Sequence, residues 1–113
     1  MNKQDLSTKS EESNILSVDG LALDLDSRTL IMNGTVLRKL TPKECQLLAL
    51  FMRHYGQVLT RKFLMKEVWE TEYMGDTRTL DVHICWVRKK IEEDPHRPQK
   101  LCTIRGVGYR FSM

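Results

Sequence analysis

The feature that most constrains this fold is one amphipathic segment between about residues 77 and 93. Its large apolar side chains recur at steps of four, three and four residues, at Leu80, Ile84, Val87 and Ile91. This is the period of an α-helix, and it places the four side chains on one face. Pro95 ends the pattern, because proline disfavours helical backbone in the residue before it. The segment therefore predicts a helix whose buried face is the seam of a core.

The opposite face of this helix is basic at its ends and apolar in its middle. With 100° of rotation per residue, it carries Arg78, Val82, Cys85, Trp86 and Lys89. A tryptophan on a basic outward face indicates that something covers it. Three acidic residues at 92–94 crowd the C-terminal end, where the helix dipole disfavours anions. The last turn is therefore predicted to fray.

The chain before residue 40 has the two-residue period of β-strands. Residues 1–14 hold almost no large apolar side chain and are predicted to be a flexible linker or tail. Leucines then alternate with small or acidic residues from Leu21 to Asp26. Two further apolar runs flank Asn33-Gly34, a pair typical of two-residue hairpin turns. These signals predict a small antiparallel sheet of four strands.

Two helices are predicted between this sheet and the amphipathic segment. Thr41, Pro42 and Glu44 form the capping-box pattern that starts a helix. Thr60 is placed to cap a second helix, after a short extended link at Val58. The third helix is therefore preceded by two others.

A loop and a hairpin are predicted on either side of the third helix. Residues 69–76 have no period and are predicted to be a loop, after which Asp76 or Thr77 caps the helix. Beyond the helix, two strand-like runs bracket a glycine-rich bend over about residues 101–112. A loop of this length exceeds the usual three- to four-residue turn between paired DNA-binding helices.

This order of elements predicts an α+β fold in a single domain over residues 15–113. The fold is a winged helix-turn-helix with an N-terminal four-stranded antiparallel sheet, three helices and a C-terminal β-hairpin wing. A chain of 113 residues with 41% hydrophobic and 29% charged residues suits one globular domain.

Composition narrows the possible functions. The net charge of +3 is mildly basic, so a nucleic-acid partner depends on where the charge lies. No apolar run approaches the ~20 residues of a membrane span and no signal peptide opens the chain, so we expect a cytoplasmic protein. The 3 cysteines are widely spaced, which favours neither a disulfide framework nor a metal site. No phosphate loop and no nucleophile with an orienting base is present, so we expect no enzymatic activity and no cofactor.

Six motifs, in their order and spacing, resemble those of one protein family. They are LTPKE (40–44), GQVLTR (56–61), VW (68–69), GDTRTLDVHI (75–84), VRKKIEEDP (87–95) and TIRGVGYRF (103–111). From about Leu16 to Ser112 the chain is similar to the OmpR/PhoB-type winged-helix DNA-binding effector domain of bacterial two-component response regulators.

The resemblance implies that the domain binds double-stranded DNA and controls transcription. The recognition helix, about 77–93, would enter the major groove, and the wing, about 101–112, the adjacent minor groove. Two copies would bind direct-repeat promoter sites as a weak head-to-tail homodimer. If the chain is a fragment of a longer regulator rather than a stand-alone protein, phosphorylation of a receiver domain in the same protein would precede this binding. The loop before the recognition helix would contact RNA polymerase or the neighbouring protomer. Its residues are Trp69, Glu70, Thr71, Glu72, Tyr73, Met74 and Gly75.

Most candidate DNA contacts lie on the recognition helix. They are Arg78, Thr79, Val82, His83, Cys85, Trp86, Arg88 and Lys89. Arg78 and Thr79, together with the amides of the helix start, are expected to hold a phosphate. Val82 is placed to touch a thymine methyl group. Arg88 and Lys89 are expected to contact phosphates or bases. His83 matches a position that contacts the DNA backbone in the family.

The wing supplies the remaining candidates. Arg105, at the bend, is expected to enter the minor groove, where A·T tracts concentrate negative potential. Thr103 and Tyr109 are expected to hydrogen-bond a phosphate beside it.

Cys85 and Trp86 depart from the family pattern, because relatives commonly carry small polar residues or arginine there. We hypothesise that Trp86 packs against a sugar or a thymine methyl group and that Cys85 lies against a base edge. The alternative is that Trp86 leans onto the protein's own surface. A winged-helix module that binds protein without specific DNA binding is the competing function. The phosphate-spaced Arg78 and Arg105 argue against that function, and Trp86 argues weakly for it.

Overall fold

The computed structural model describes residues 14–113, which form two sheets and three helices. In chain order the elements are β1 (Ile15–Val18), β2 (Leu21–Asp24), β3 (Thr29–Met32), β4 (Thr35–Lys39), α1 (Pro42–Arg53), β5 (Val58–Thr60), α2 (Arg61–Trp69), α3 (Arg78–Ile91), β6 (Leu101–Ile104) and β7 (Gly108–Phe111). The predicted four-stranded antiparallel sheet, three helices and C-terminal hairpin are confirmed.

The predicted tail falls almost wholly on residues 1–13, which lie outside the described residues. Asn14, predicted as its last residue, is attached to the fold. Its carbonyl accepts a hydrogen bond from the Leu25 amide at 2.8 Å. Its side-chain amide donates to Asp26 at 3.0 Å. Asn14 is therefore hydrogen-bonded to the segment that follows β2.

The N-terminal sheet has the strand order β1-β2-β3-β4, and every neighbouring pair is antiparallel. At the β3–β4 turn, Asn33 and Gly34 both have positive φ, at 50° and 83°. Two positive φ angles in succession are what a tight hairpin turn needs, which explains the Asn-Gly pair. Leu21, Leu23 and Leu30 are fully buried, so one face of the sheet covers the core.

Helix α1 begins with the predicted capping box. The Thr41 amide donates to Glu44 Oε1 at 2.8 Å, and the Glu44 amide donates to Thr41 Oγ1 at 3.3 Å. The Glu44 carboxylate also accepts a hydrogen bond from Lys90 Nζ of α3 at 2.6 Å, although Glu44 is 2% exposed. Burial alone raises the pKa of this carboxyl, but the bonds from Lys90 and Thr41 outweigh burial and lower its pKa overall. Glu44 thus both caps α1 and forms a buried ion pair with α3.

Strand β5 shows that the predicted extended link at Val58 belongs to a second sheet. Its strand order is β5-β7-β6, and Val58 pairs with Arg110. Gly108 makes this pairing possible, because a Cβ there would lie 2.0 Å from the Leu59 carbonyl oxygen. The wing is therefore anchored to the body of the domain through a three-residue strand.

Helix α3 buries the predicted seam of Leu80, Ile84, Val87 and Ile91. The predicted fraying of its last turn is wrong. Glu92 is buried, and its carboxylate accepts four hydrogen bonds of 2.7–3.1 Å from the amides of residues 99–101. These amides compensate the unfavourable position of an anion at a helix C-terminus. Within residues 14–113, no helix has the length and apolar character needed to cross a membrane.

Candidate nucleic-acid interface

The outward face of α3 carries the residues that its helical period predicts there. Val82 and Trp86 are 41% and 42% exposed in the middle of that face. Exposed Arg78 lies one turn before them, and exposed Lys89 lies about one turn after them. The face is therefore an apolar centre with a cation at each end.

The start of α3 is organised by Asp76 rather than by a threonine cap. Thr77 occupies the N-cap position, but its side chain makes no capping hydrogen bond. Asp76 Oδ1 accepts from the Arg78 amide at 3.0 Å, and Arg78 Nη2 donates to Asp76 Oδ2 at 3.0 Å. The Arg78 side chain and amide lower the pKa of Asp76 to about 2. Arg78 is thus a fully exposed cation that already has an anionic partner.

The ring of Trp86 is supported by an aromatic column that consists of Trp86, His83 and Trp69. The Trp86 ring lies 4.8 Å from the His83 ring, and the His83 ring lies 5.1 Å from Trp69, measured between centroids. His83 Nδ1 lies 2.7 Å from the Thr79 carbonyl oxygen, so Nδ1 must carry the donated proton. The alternative prediction, that Trp86 leans onto the protein's own surface, therefore holds for one side of its ring, while 42% of the residue stays exposed.

Trp69 is not a loop residue, in contrast to its predicted place in the segment 69–76. It is the last residue of α2, and its half-buried ring packs against the core. Lys43 Nζ lies 6.0 Å from the centroid of this ring. Its contacts within the fold give Trp69 a supporting role beneath His83.

Arg88 points to the wing rather than away from the protein. Its Nε donates to the Leu101 carbonyl at 2.9 Å, and its Nη2 donates to Thr103 Oγ1 at 3.0 Å. The guanidinium also lies 5.7 Å from the centroid of the Tyr109 ring. Arg88 therefore ties α3 to β6 through its Nε and Nη2 atoms.

Tyr109 is also committed within the fold. It is 6% exposed, and its hydroxyl donates to Asp81 Oδ1 at 2.7 Å. Burial raises the pKa of the Tyr109 hydroxyl, and the bond to ionised Asp81 raises it further. Tyr109 thus links the wing to α3 through its hydroxyl group.

Arg61 completes this network from α2. It donates to both Asp81 oxygens, at 2.7 and 2.9 Å, and also to Thr77 at the start of α3. The Arg61 guanidinium holds the pKa of the Asp81 carboxyl below its usual value. Arg61, Asp81 and Tyr109 thus fix α2, α3 and β7 relative to one another.

Replacing Asp81 by asparagine is expected to lower the free energy of unfolding by about 1 kcal/mol, because Arg61 and Tyr109 lose a charged partner. The estimate is small because Arg61 and Asp81 side chains are 33% and 47% exposed, so water screens the pair. Urea unfolding at neutral pH measures the change. Exposed Glu93→Gln is the control and should leave stability unchanged. Equal stability of both variants would contradict a linking role for Asp81.

The loop between α2 and α3 spans residues 70–77 and has no regular secondary structure. Tyr73 and Met74 are exposed large side chains within it. The Tyr73 ring lies over Gly75, where a Cβ would meet the hydroxyl at 2.2 Å. A glycine at position 75 thus lets Tyr73 fold back while staying accessible.

The tip of the wing consists of Arg105, Gly106 and Val107 between β6 and β7. All three are exposed, and Gly106 has a φ of 77°. Arg105 thus lies exposed at the bend of the hairpin, where the sequence places it. Among the described residues, no group of three or more His, Cys, Asp or Glu side chains is arranged to hold a metal ion.

Sequence patterns did not reveal the aromatic column or the Arg61 network. The hydrogen bonds from Tyr109 to Asp81 and from Arg61 to Asp81 join residues that are far apart in sequence. The helical and strand periods do not predict contacts of this kind. The available signal was the residue type, since a buried tyrosine hydroxyl usually finds a hydrogen-bond partner.

A helix that presents a cation-flanked face, packed across a preceding helix and tied to a hairpin, defines the winged helix-turn-helix class of DNA-binding domains. Residues 35–111 match the family model described as "Transcriptional regulatory protein, C terminal". The chain belongs to this family, the OmpR/PhoB-type effector domains of response regulators.

Known proteins of this family resemble the chain over most of its length. The alkaline phosphatase synthesis transcriptional regulatory protein SphR of Synechococcus elongatus is 43% identical over 97 residues, which cover 86% of this chain and 37% of SphR. The chain thus spans well under half of this relative.

Two solved structures of similar domains are complexes with DNA sites. The Klebsiella pneumoniae RstA DNA-binding domain in complex with the RstA box has a TM-score of 0.77 at 28% identity, covering 87% of this chain and 96% of that one. The response regulator AdeR DNA-binding domain in complex with an intercistronic region has a TM-score of 0.69 at 29% identity, covering 85% of this chain and 97% of that one.

Proposed function

We propose that this domain binds double-stranded DNA sequence-specifically as the output domain of a two-component response regulator and so controls transcription. The observation that carries the proposal is the outward face of α3, which is exposed and flanked by Arg78 and Lys89. Family membership and the two DNA complexes of similar domains support it.

In the proposed complex, α3 lies in the major groove and the wing reaches the adjacent minor groove. The DNA-contacting set is Arg78, Thr79, Val82, Cys85, Trp86, Lys89, Thr103 and Arg105. We assign Arg88 and Tyr109 to a positioning role, because neither is exposed and each binds another element of the domain. His83 is reassigned to hold the Trp86 ring. The revised set separates residues that contact DNA from residues that position them.

Further partners belong to the same proposal. Exposed Tyr73 and Met74 suit the loop before α3 for contact with RNA polymerase or with a neighbouring protomer. We place the domain behind a receiver domain in a longer cytoplasmic protein, since the family's curated relatives are longer than this chain. Two copies would then bind direct repeats head to tail.

The first test is binding to an A·T-rich duplex, measured by fluorescence anisotropy across a salt series. Phosphate neutralisation predicts a linear fall of log affinity with log salt concentration. Arg105→Ala should weaken binding and reduce the slope by about one unit, because one phosphate-directed cation is lost.

The matched control is Arg38→Ala, which removes the same charge from exposed β4 in the N-terminal sheet. It should leave affinity and slope nearly unchanged. An equal loss of affinity in both variants would mean that only the net charge matters. It would contradict a contact between the wing and the DNA. Negligible binding of the wild type to any duplex would reject the proposed function in favour of a protein-binding module centred on Trp86.

A further inference from the structure

Three apolar side chains form a continuous strip on the outward face of α3. Val82 and Trp86 are 41% and 42% exposed, and Cys85 is exposed beside them. We propose that this strip recognises the C5-methyl groups of thymine in the major groove. The inference rests on the proposed DNA-binding function and names the base chemistry that the domain selects.

The residue types of the strip exclude the usual paired hydrogen bonds to a base. Such readout takes arginine or lysine on guanine and asparagine or glutamine on adenine, and positions 82, 85 and 86 hold none of these. The neighbouring carboxylate of Asp81 is occupied by Arg61 and Tyr109. The thymine methyl group is the major-groove feature that an apolar side chain can distinguish.

The charges around the strip indicate which partner covers it. Lys89 lies at one end of the strip, Arg78 with its partner Asp76 lies at the other, and Arg105 is on the adjacent wing. Cations at the edges with an apolar centre complement phosphates that line a groove with base edges at its floor. This charge complementarity argues for a DNA groove rather than for an apolar protein surface.

The aromatic column prepares Trp86 for this contact. Its ring lies against His83, which is itself held by the Thr79 carbonyl and by Trp69. A side chain whose rotamer is already held loses little conformational freedom when it binds. Trp86 is therefore a specificity-determining residue, with His83 and Trp69 as its positioning residues.

Helix geometry limits how many bases the strip can cover. Val82 and Trp86 are four residues apart, so their Cα atoms are separated by about 6 Å along the helix axis. Base pairs are stacked about 3.4 Å apart, so the strip spans about two steps. Thymines recognised in this way must lie within two or three adjacent base pairs of each half-site.

The test uses duplexes selected from a randomised double-stranded library by the 113-residue chain. Each thymine of a selected duplex is replaced in turn by deoxyuridine, which keeps its hydrogen-bonding groups and loses the methyl group. We expect affinity to fall about four-fold per contacted methyl, the effect of exposing one buried carbon. Sensitive positions should cluster within two or three neighbouring base pairs.

Two variants assign the effect to the strip. Trp86→Ala and Val82→Ser, which removes both methyl groups of the valine, should each abolish deoxyuridine sensitivity at one position. Lys89→Ala is the control and should weaken binding while keeping the thymine-to-deoxyuridine ratio. Circular dichroism melting verifies that each variant is folded. Tight binding without deoxyuridine sensitivity, or sensitivity that survives both variants, would overturn the inference while the proposed function stands. Failure to select any duplex would instead overturn the proposed function.

Discussion

Replacing Glu44 by alanine is expected to lower the free energy of unfolding by about 3 kcal/mol. The change removes a 2% exposed carboxylate that both caps α1 and pairs with Lys90 of α3 at 2.6 Å. Breaking a buried ion pair costs about 3–5 kcal/mol, and we take the lower end because the partly exposed Lys90 can turn to water. Urea unfolding at neutral pH measures the loss.

The control for Glu44 is Glu67→Ala, an exposed helical position where stability should change by less than about 0.5 kcal/mol. Acid provides a second check through Glu44→Gln. Because the folded-state pKa of Glu44 is lowered, its contribution is complete above the ordinary value of 4.5 and is lost as pH falls through the folded pKa. The stability difference between wild type and Glu44→Gln should therefore shrink below pH 4.5. A difference that stays constant into acid would contradict the ion pair.

Replacing Gly108 by alanine is expected to cost about 3 kcal/mol and to loosen the wing. The added Cβ would lie 2.0 Å from the Leu59 carbonyl oxygen and 2.9 Å from the Thr60 Cα. Both are backbone atoms, so relief requires β5 and β7 to separate, and overpacking of this kind costs about 1–3 kcal/mol or more. Urea unfolding gives the stability, and anisotropy with an A·T-rich duplex gives the effect on DNA binding.

Gly106→Ala separates steric from conformational causes. Gly106 has a φ of 77°, but nothing lies within 4 Å of a Cβ placed there. Its alanine variant should therefore cost about 1 kcal/mol, the penalty of left-handed backbone for a residue with a side chain. If the two variants were equally stable, the close approach of β5 to Gly108 would not be what holds the wing.

The parts of the fold that sequence predicted are those decided by local physics. The Leu80-to-Ile91 seam follows from helical period, the start of α1 from its capping box, and the β3–β4 turn from Asn33-Gly34. Each depends on neighbours within about one or two turns of chain, so a short window contains the whole signal. The same reasoning placed Val82 and Trp86 on the outward face of α3.

The contacts that sequence did not reveal concern residues whose partners are distant in the chain. Arg88 stands in a basic run that resembles a solvated face, yet its guanidinium binds β6 because the hairpin docks beside α3. Val58 gave no strand period of its own, and its partner Arg110 lies beyond all three helices. The helix dipole disfavours an anion at position 92, but the amides of residues 99–101 bind the Glu92 carboxylate and compensate for this effect.

The hydrogen bonds of Glu92 have a consequence for how the two proposed DNA-contacting parts are spaced. Glu92 directly follows α3, and its carboxylate binds the amides at the start of β6. Residues 93–98 therefore form a loop whose two ends lie close together. Lengthening this loop would lower the stability of the domain only slightly, because the entropic cost of closing a loop grows with the logarithm of its length. The separation between α3 and the wing is therefore set by the contacts of Glu92, together with those of Arg88 and Tyr109, and not by the number of residues that connect them.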